Sequence, residues 1–210
     1  MTDRPSPRIS SRKQPKQARS NALISAILDA AAQVLAKEGA QRFTTARVAE
    51  KAGVSIGSLY QYFPNKAAIL FRLQSDEWRQ TGDLLRDILE DRDVPPLQRL
   101  RNLVHAFLRS EYEEAAMRVA LHDAAPLYRD APEAHEARAS SDGAIQAFLR
   151  EVLPDTAEAT RLLAGDVIAT TFSKLGKHVS ESPRSLDEID AYADAMADMF
   201  CAYLEKLSAG

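Results

Sequence analysis

Apolar residues recur at intervals of three and four along most of the chain, and this spacing constrains the fold more than any other feature. It is the spacing of one face of an α-helix, whereas a half-buried strand alternates apolar and polar residues. Only 8 of the 210 residues are glycine, and alternating runs rich in β-branched residues are missing from the sequence. The sequence therefore predicts an all-α protein, with about nine helices.

Residues that start and stop helices separate these periodic stretches. Gly39 and Gly53 stand where helices should end, because glycine readily adopts the left-handed conformation that closes many helices. Side chains able to cap a following helix occur at Thr44, Ser55 and Asn65. Two later helices begin with the spacing of a capping box, in which a polar side chain and a Glu three residues on bond each other's backbone. These pairs are Asp155 with Glu158 and Ser185 with Glu188. Further helices are predicted over residues 113–124 and 132–152.

Charge is distributed unevenly along the chain. Residues 1–66 hold 11 Lys and Arg against 4 Asp and Glu, a formal balance of +7, whereas residues 67–210 carry a balance of −10. A basic segment joined to an acidic one suggests that the first part meets a polyanion and the second does not.

Residues 1–18 form a basic segment rich in Pro and Ser, which lacks the apolar residues needed to build a core. We expect a flexible arm that could add minor-groove and phosphate contacts to a nucleic acid. A solvated tail without a partner is the alternative. The candidate contacts in and beside this arm are Arg12, Lys13, Lys16 and Arg19.

Several classes of protein are disfavoured by the composition. No run reaches the roughly 18 apolar residues of a membrane-spanning helix, and the first twenty residues lack the apolar segment of a secretory signal. The single cysteine, Cys201, forms no disulfide framework, and the four histidines lack the spacing of a helical metal site. We therefore expect a cytoplasmic protein without a metal or another cofactor.

The most informative stretch is 43–66, FTTARVAEKAGVSIGSLYQYFPNK. Two short helices joined through Gly53, Val54 and Ser55 have the dimensions of a helix-turn-helix, whose second helix enters the major groove of DNA. The small core of such a unit is predicted at Val48, Ala49, Val54 and Leu59.

Hydroxyl and ammonium groups within this stretch can donate hydrogen bonds to phosphates. Gly57 and Ser58 are small and permit a close approach to the groove. The candidate phosphate donors are Thr44, Thr45, Tyr60, Tyr62 and Lys66. For Tyr60 and Tyr62, core packing of the aromatic rings is the alternative.

The segment from residue 19 to about 70 resembles the TetR-type transcriptional regulators of bacteria. The resemblance rests on Gly39, Phe43-Thr44-Thr45, Val48-Ala49, Gly53-Val54-Ser55 and the run from Leu59 to Ala67. It implies that Thr45, Ser55, Tyr60 and Lys66 hold phosphates, and that Ile56, Gly57, Ser58 and Gln61 face base edges.

One departure concerns base recognition. The second helix of the motif has no Arg or Lys, so the common bidentate contact to guanine is missing there. Readout is then expected from Gln61, Ser58 and Arg47, and from contact of Ile56 with a thymine methyl.

The resemblance also implies an architecture. A three-helix DNA-binding domain at 19–66 would precede a larger helical ligand-binding and dimerisation domain at 67–210. The helices near 155–177 and 186–207 would form a two-fold homodimer, which places two recognition helices on one palindromic site. Completion of a monomeric core by these two helices is the alternative.

An apolar pocket for a small-molecule effector could lie between the middle helices. Ordinary core packing is the alternative for each candidate wall residue. The candidates are Trp78, Phe107, Tyr112, Met117, Arg118, His122, Tyr128, Phe148 and Phe172.

The sequence thus predicts a ligand-responsive DNA-binding repressor that an effector releases from a palindromic operator. The alternatives are a transcriptional activator, or a helical adaptor without small-molecule control. A helical enzyme is disfavoured because the sequence shows no nucleophile elbow, phosphate-binding glycine loop or recognisable catalytic constellation.

Overall fold

The computed structural model describes residues 18–134 and 143–209. Within these ranges the regular elements are helices, and no strand is present, so the predicted all-α class is confirmed. The helices are α1 Ala18–Arg42, α2 Thr45–Lys51, α3 Ile56–Tyr62, α4 Lys66–Glu90, α5 Pro96–Glu113, α6 Ala115–Ala124, α7 Gly143–Val152, α8 Glu158–Glu181 and α9 Leu186–Ser208. A 3₁₀ turn at Ala125–Leu127 follows α6, and residues 132–134 are also helical.

The predicted basic arm falls outside the description. Arg12, Lys13 and Lys16 precede Ala18, and the side chain of Arg19 is also outside the described part of the chain.

The predicted helix punctuation is confirmed at the first helices. Gly39 and Gly53 both have positive φ, 74° and 67°, and Gly39 breaks the helical conformation of α1 three residues before its end. The side chain of Thr44 accepts a hydrogen bond from the backbone N–H of Arg47 at 3.3 Å. Asn65 does the same for the N–H of Ala68 at 2.9 Å.

Of the two predicted capping boxes, one is confirmed and one is wrong. Ser185 and Glu188 exchange both bonds, with Ser185 N–H donating to Glu188 Oε2 at 2.8 Å and Glu188 N–H donating to Ser185 Oγ at 3.3 Å. By contrast, α8 begins after Ala157, and no side chain caps it. The Arg161 guanidinium instead donates to backbone carbonyls of the preceding loop, among them that of Leu153 at 3.1 Å. A side chain of the helix, and not one of the loop, thus orders the connection between α7 and α8.

The predicted helix over 113–124 also needs correction. The chain leaves the helical conformation at Glu114, so that α5 ends at Glu113 and α6 starts at Ala115. Glu114 thus separates α5 from α6, and the second of these helices begins two residues later than predicted.

We expect Ser185→Ala to lower the free energy of unfolding by about 1 kcal/mol, because it leaves the first N–H groups of α9 without their side-chain acceptor. Asp155→Ala is the matched control and should change stability by less than about 0.5 kcal/mol, since the Asp155 side chain caps nothing. Urea denaturation of both variants measures the difference, and equal losses would contradict the capping assignment.

The described residues divide into two compact units. The first contains the described residues up to Trp78 together with those from Ala116 to Ala134, and the second contains Arg79–Ala115 and 143–209. The division lies within α4, whereas the sequence places the end of the DNA-binding domain at Lys66. Because the units reflect packing alone, the functional boundary after Lys66 stays a prediction.

The first unit is built around α1, α2, α3 and the start of α4. Its core side chains come from each of these helices and from the short connections between them, and α6 and the segment after it supply others. Among them, fully buried, are Ile27, Leu35, Phe43, Val48, Leu59, Phe63, Ile69 and Leu70.

The second unit has a core formed by the end of α4 together with α5, α7, α8 and α9. Phe107 of α5 meets Phe172 of α8 edge to face, with ring centroids 4.8 Å apart, and Phe172 continues to Phe200 at 5.4 Å. Phe148 and Leu149 of α7 belong to the same core.

A buried cation lies at one end of this second core. Arg99 is 1% exposed, donates to the carbonyl of Leu89 at the end of α4, and forms an ion pair with Glu151 of α7. Its guanidinium carbon lies 5.7 Å from the ring centroid of Phe148. Arg92 forms a second ion pair with Glu151. Arg99 thus joins three helices through polar bonds inside an apolar core.

Candidate nucleic-acid interface

A tight turn joins α2 to α3. Gly53, with φ of 67°, directs the chain back so that the Val54 N–H donates to the carbonyl of Ala49 at 3.0 Å. Val48, Ala49 and Leu59 are buried and Val54 is half-buried, as predicted for the internal core of the unit. Two seven-residue helices held by this core and turn form a helix-turn-helix.

The outward face of α3 is formed by four residues. Ile56 is 43% exposed and Tyr60 40%, and Gly57 and Gln61 are also exposed. At about 100° per residue, these positions cover one continuous face of the helix. None of them carries an acidic group, so the face is free of charge that would repel phosphate.

A pair of hydroxyl groups connects the two helices of the motif. The Tyr60 hydroxyl lies 3.1 Å from Oγ1 of Thr45, at the first position of α2. This bond fixes the direction of the Tyr60 ring and places two hydroxyls side by side. Lys66, which opens α4 four residues after α3 ends, is exposed and is the lysine that the sequence predicted as a phosphate donor.

Ser58 takes part in the cap of α3. Its backbone N–H donates to Ser55 Oγ at 3.0 Å, and the two side-chain oxygens lie 2.8 Å apart. Since Ser58 is only half exposed, its hydroxyl serves the cap in this structure. Ser55 itself is exposed at the start of the helix.

Arg47 is directed toward the end of α1. Its guanidinium forms an ion pair with Glu38 and donates to the carbonyl of Arg42 at 3.0 Å. The sequence offered no signal for this contact, because Glu38 and Arg47 are nine positions apart and the break at Gly39 lies between them.

Tyr62 differs from Tyr60 in its surroundings. It is 6% exposed, belongs to the apolar core of the first unit, and donates from its hydroxyl to Ser20 Oγ at 3.4 Å. The expectation of a phosphate contact at Tyr62 is therefore corrected to a core role. Tyr62 lies on the inner side of α3 with Leu59, and Tyr60 lies on the outer side.

The predicted effector-pocket residues divide between the two units. In the second, Phe107, Phe148 and Phe172 are buried in one core, and Tyr112 packs at its edge. The other five lie in the first unit and are Trp78, Met117, Arg118, His122 and Tyr128.

Polar bonds order Arg118 and Tyr128 of the first unit. The Arg118 guanidinium forms an ion pair with Glu77 at 2.8 Å, largely shielded from water. The buried Tyr128 hydroxyl donates to Gln74 Oε1 at 3.1 Å and contacts the carbonyl of Leu121 at 3.0 Å. Trp78 and Met117 are half-buried, and His122 is exposed.

Two other kinds of feature are missing from the described part of the chain. No set of three or more His, Cys, Asp or Glu side chains in residues 18–134 and 143–209 is grouped as a metal site would require. Over the same ranges, no helix combines the length and apolar character needed to span a bilayer.

The fold and this interface define a helix-turn-helix protein with a helical second region. Comparison with known proteins gives its family. Residues 27–73 match the family described as bacterial regulatory proteins, tetR family, and residues 95–207 match the tetracyclin repressor-like C-terminal domain. Since the second match alone covers more than half of the chain, the protein belongs to the TetR family of bacterial transcriptional regulators.

Individual relatives agree with this assignment. The nucleoid occlusion factor SlmA of Vibrio campbellii is 39% identical over 83 residues, which is 39% of this chain and 42% of that protein. The HTH-type transcriptional regulator TtgR of Pseudomonas putida is 39% identical over 79 residues, 37% of each chain. The aligned part is thus less than half of either relative.

Among solved structures, a TetR-family transcriptional regulator from Mesorhizobium loti superimposes with a TM-score of 0.68 at 17% identity. The superposition covers 89% of this chain and 98% of that one. At this identity the likeness establishes the shared fold.

Proposed function

We propose that this protein is a ligand-responsive repressor that binds a palindromic DNA operator as a homodimer and is released by a small-molecule effector. The observation that carries the proposal is the exposed, acid-free face of α3, whose Tyr60 hydroxyl is paired with that of Thr45, followed four residues after α3 by the exposed Lys66. A regulator of this kind acts where the genome is, in the bacterial cytoplasm, and the proposal includes no enzymatic step.

The phosphate contacts are assigned to groups at the rim of the motif. Thr44, Thr45 and Tyr60 have their hydroxyls at or beside the start of α2, and the Lys66 ammonium stands at the start of α4. Hydroxyls and ammonium groups are common donors to phosphate oxygens, and such contacts fix the register of a protein on a duplex. Ser55 and the basic arm, with Arg12, Lys13, Lys16 and Arg19, are proposed as additional contacts.

Selection of bound fragments from random duplexes by the full-length protein tests the proposed function. We expect one enriched palindromic site whose half-sites are separated by about one helical turn. The logarithm of the binding constant should fall with the logarithm of salt concentration by about 0.9 for each phosphate neutralised. Deletion of the basic arm, residues 1–18, should weaken binding and flatten this slope. No enriched site, or binding insensitive to salt, would contradict the proposal.

The homodimer is proposed to form through α8 and α9. Both helices leave large apolar side chains in contact with water, and the most exposed is Leu163, at 58%. Such a set is unusual for a soluble monomer and typical of an interface. Its members are Leu162, Leu163 and Val167 on α8, and Leu186, Tyr192 and Met199 on α9.

We expect Leu163→Glu to convert the dimer to a monomer, because a charge would then be buried without a partner at the proposed interface. Leu84→Glu is the matched control, since Leu84 is 42% exposed on α4, away from α8 and α9 in sequence. Sedimentation equilibrium reports the mass. An unchanged mass for Leu163→Glu would refute the interface.

Release by an effector is proposed to occur by population shift. The effector would bind better to a conformer whose two recognition helices do not fit successive major grooves, and would thereby draw the protein off its operator. The residues predicted from the sequence to line the effector pocket stay candidates, and they form two sets, one in each unit. Addition of candidate effectors to the selected duplex complex, with release followed by anisotropy, tests this part.

A further inference from the structure

The outward face of α3 has few groups that are free to recognise a base. Gly57 has no side chain, the Tyr60 hydroxyl is assigned above to a phosphate beside that of Thr45, and the Ser58 hydroxyl is bonded to Ser55. Ile56 and Gln61 are exposed, and the Gln61 amide makes no hydrogen bond to another described residue. These two are therefore the side chains of α3 available for base contacts.

Cations, the usual readers of guanine, are missing from this face. α3 contains neither Lys nor Arg, and Arg47 of α2 is held by Glu38 and the Arg42 carbonyl. Arg and Lys supply the commonest base-specific contact, to O6 and N7 of guanine. The chemistry that remains is one branched apolar side chain and one primary amide.

Each remaining group complements a member of the T·A pair. An apolar side chain gains by covering the C5-methyl group of thymine, which projects into the major groove. A Gln amide can accept a hydrogen bond from N6 of adenine and donate one to N7. Gly57 lies between Ile56 and Gln61 around the helix, so the backbone can approach the base edges with one reader on either side.

We propose that α3 reads T·A pairs, with Ile56 packed against a thymine methyl and Gln61 paired with the major-groove edge of an adenine. The proposal rests on the proposed DNA-binding function. In each half-site of the operator, α3 then recognises one thymine methyl group and the major-groove edge of one adenine.

Base analogues in the selected duplex test the assignment. Each thymine is replaced in turn by deoxyuridine, which lacks only the methyl group, and each adenine by 7-deazaadenine, which lacks the N7 acceptor. We expect one thymine in each half-site whose replacement weakens binding about two- to fivefold. We expect one adenine in each half-site whose replacement weakens binding about fivefold or more.

Variants connect each effect to its side chain. Ile56→Ala should bind the thymine and deoxyuridine duplexes equally, while retaining the sensitivity to 7-deazaadenine. Gln61→Ala should show the reverse pattern. Leu84→Ala, a truncation of an equally exposed apolar residue on α4, should keep both sensitivities.

The outcomes separate the two levels of the proposal. If no duplex is enriched, the proposed function fails and the T·A assignment fails with it. If a duplex is enriched but all its thymines and adenines are insensitive, the assignment alone is overturned. Sensitivity to deoxyuridine that persists in Ile56→Ala overturns the role of Ile56.

Discussion

Tyr60→Ala and Lys66→Ala are each expected to weaken operator binding by at least about a hundredfold. A hydrogen bond to a charged group contributes about 1.5–3 kcal/mol, and a homodimer loses it twice. Tyr60 also orients the Thr45 hydroxyl across 3.1 Å, so its truncation removes one proposed phosphate donor and loosens a second one. Fluorescence anisotropy with the selected duplex measures the loss.

Two comparisons separate contact from folding. Tyr60→Phe keeps the ring and removes the hydroxyl, so it should reproduce most of the loss if the hydroxyl is the contact. Lys206→Ala removes an exposed lysine from α9 and should bind normally. All variants should retain the helicity and mass of the unchanged protein. Normal affinity for the duplex in both Tyr60→Ala and Lys66→Ala would contradict the proposed DNA interface.

The second large effect concerns stability. We expect Glu151→Ala to lower the free energy of unfolding by about 3–5 kcal/mol, because it leaves the buried Arg99 cation without its counter-charge. Replacing both partners, as Arg99→Met with Glu151→Met, should restore much of the loss, since an apolar pair of similar volume avoids the cost of burying charge. Urea denaturation of the three chains tests this order, and a double variant as unstable as Glu151→Ala would contradict it.

The same pair gives the stability a dependence on pH. The hydrogen bond from Arg99 lowers the pKa of Glu151 from its ordinary value of 4.5, and the charges of Arg99 and Arg92 act in the same direction against the effect of burial. A carboxyl with a lowered folded-state pKa stabilises the fold above its unfolded value, and this contribution is lost as the pH falls through the folded value. The difference in unfolding free energy between the protein and Glu151→Ala should therefore shrink as the pH is lowered from neutral to below 4.5. A constant difference would show that the charge of Glu151 is not its cause.

Local signals in the sequence were sufficient for the framework of the motif. Gly53, Thr44 and Ser55 act through bonds within a few residues of themselves, so the turn and both helix starts could be predicted. The failure at Asp155 has a local cause too, because Arg161 bonds the carbonyls of the loop and α8 begins without a side-chain cap.

Features that depend on distant partners could not be predicted. The sequence near Arg99 gives no sign that this residue is buried, because the carboxylate that pairs with it, that of Glu151, is 52 positions away. Tyr60 and Tyr62 are the same type of residue, two positions apart in the sequence. A seven-residue helix is too short for its apolar spacing to show which of the two side chains faces inward. The tie between Glu38 and Arg47 depends on the direction that Gly39 gives the chain.

The separation of inner and outer residues on α3 has an evolutionary consequence. Leu59 and Tyr62 stabilise the motif from the inside, while Ile56, Gly57 and Gln61 face water and support no core contact. Exposed positions of this kind tolerate substitution with stability changes of about 0.5 kcal/mol or less. A lineage can therefore exchange these outer residues, and with them the proposed base contacts, without first acquiring a more stable core. The same freedom makes these positions the natural place to redirect the protein by design.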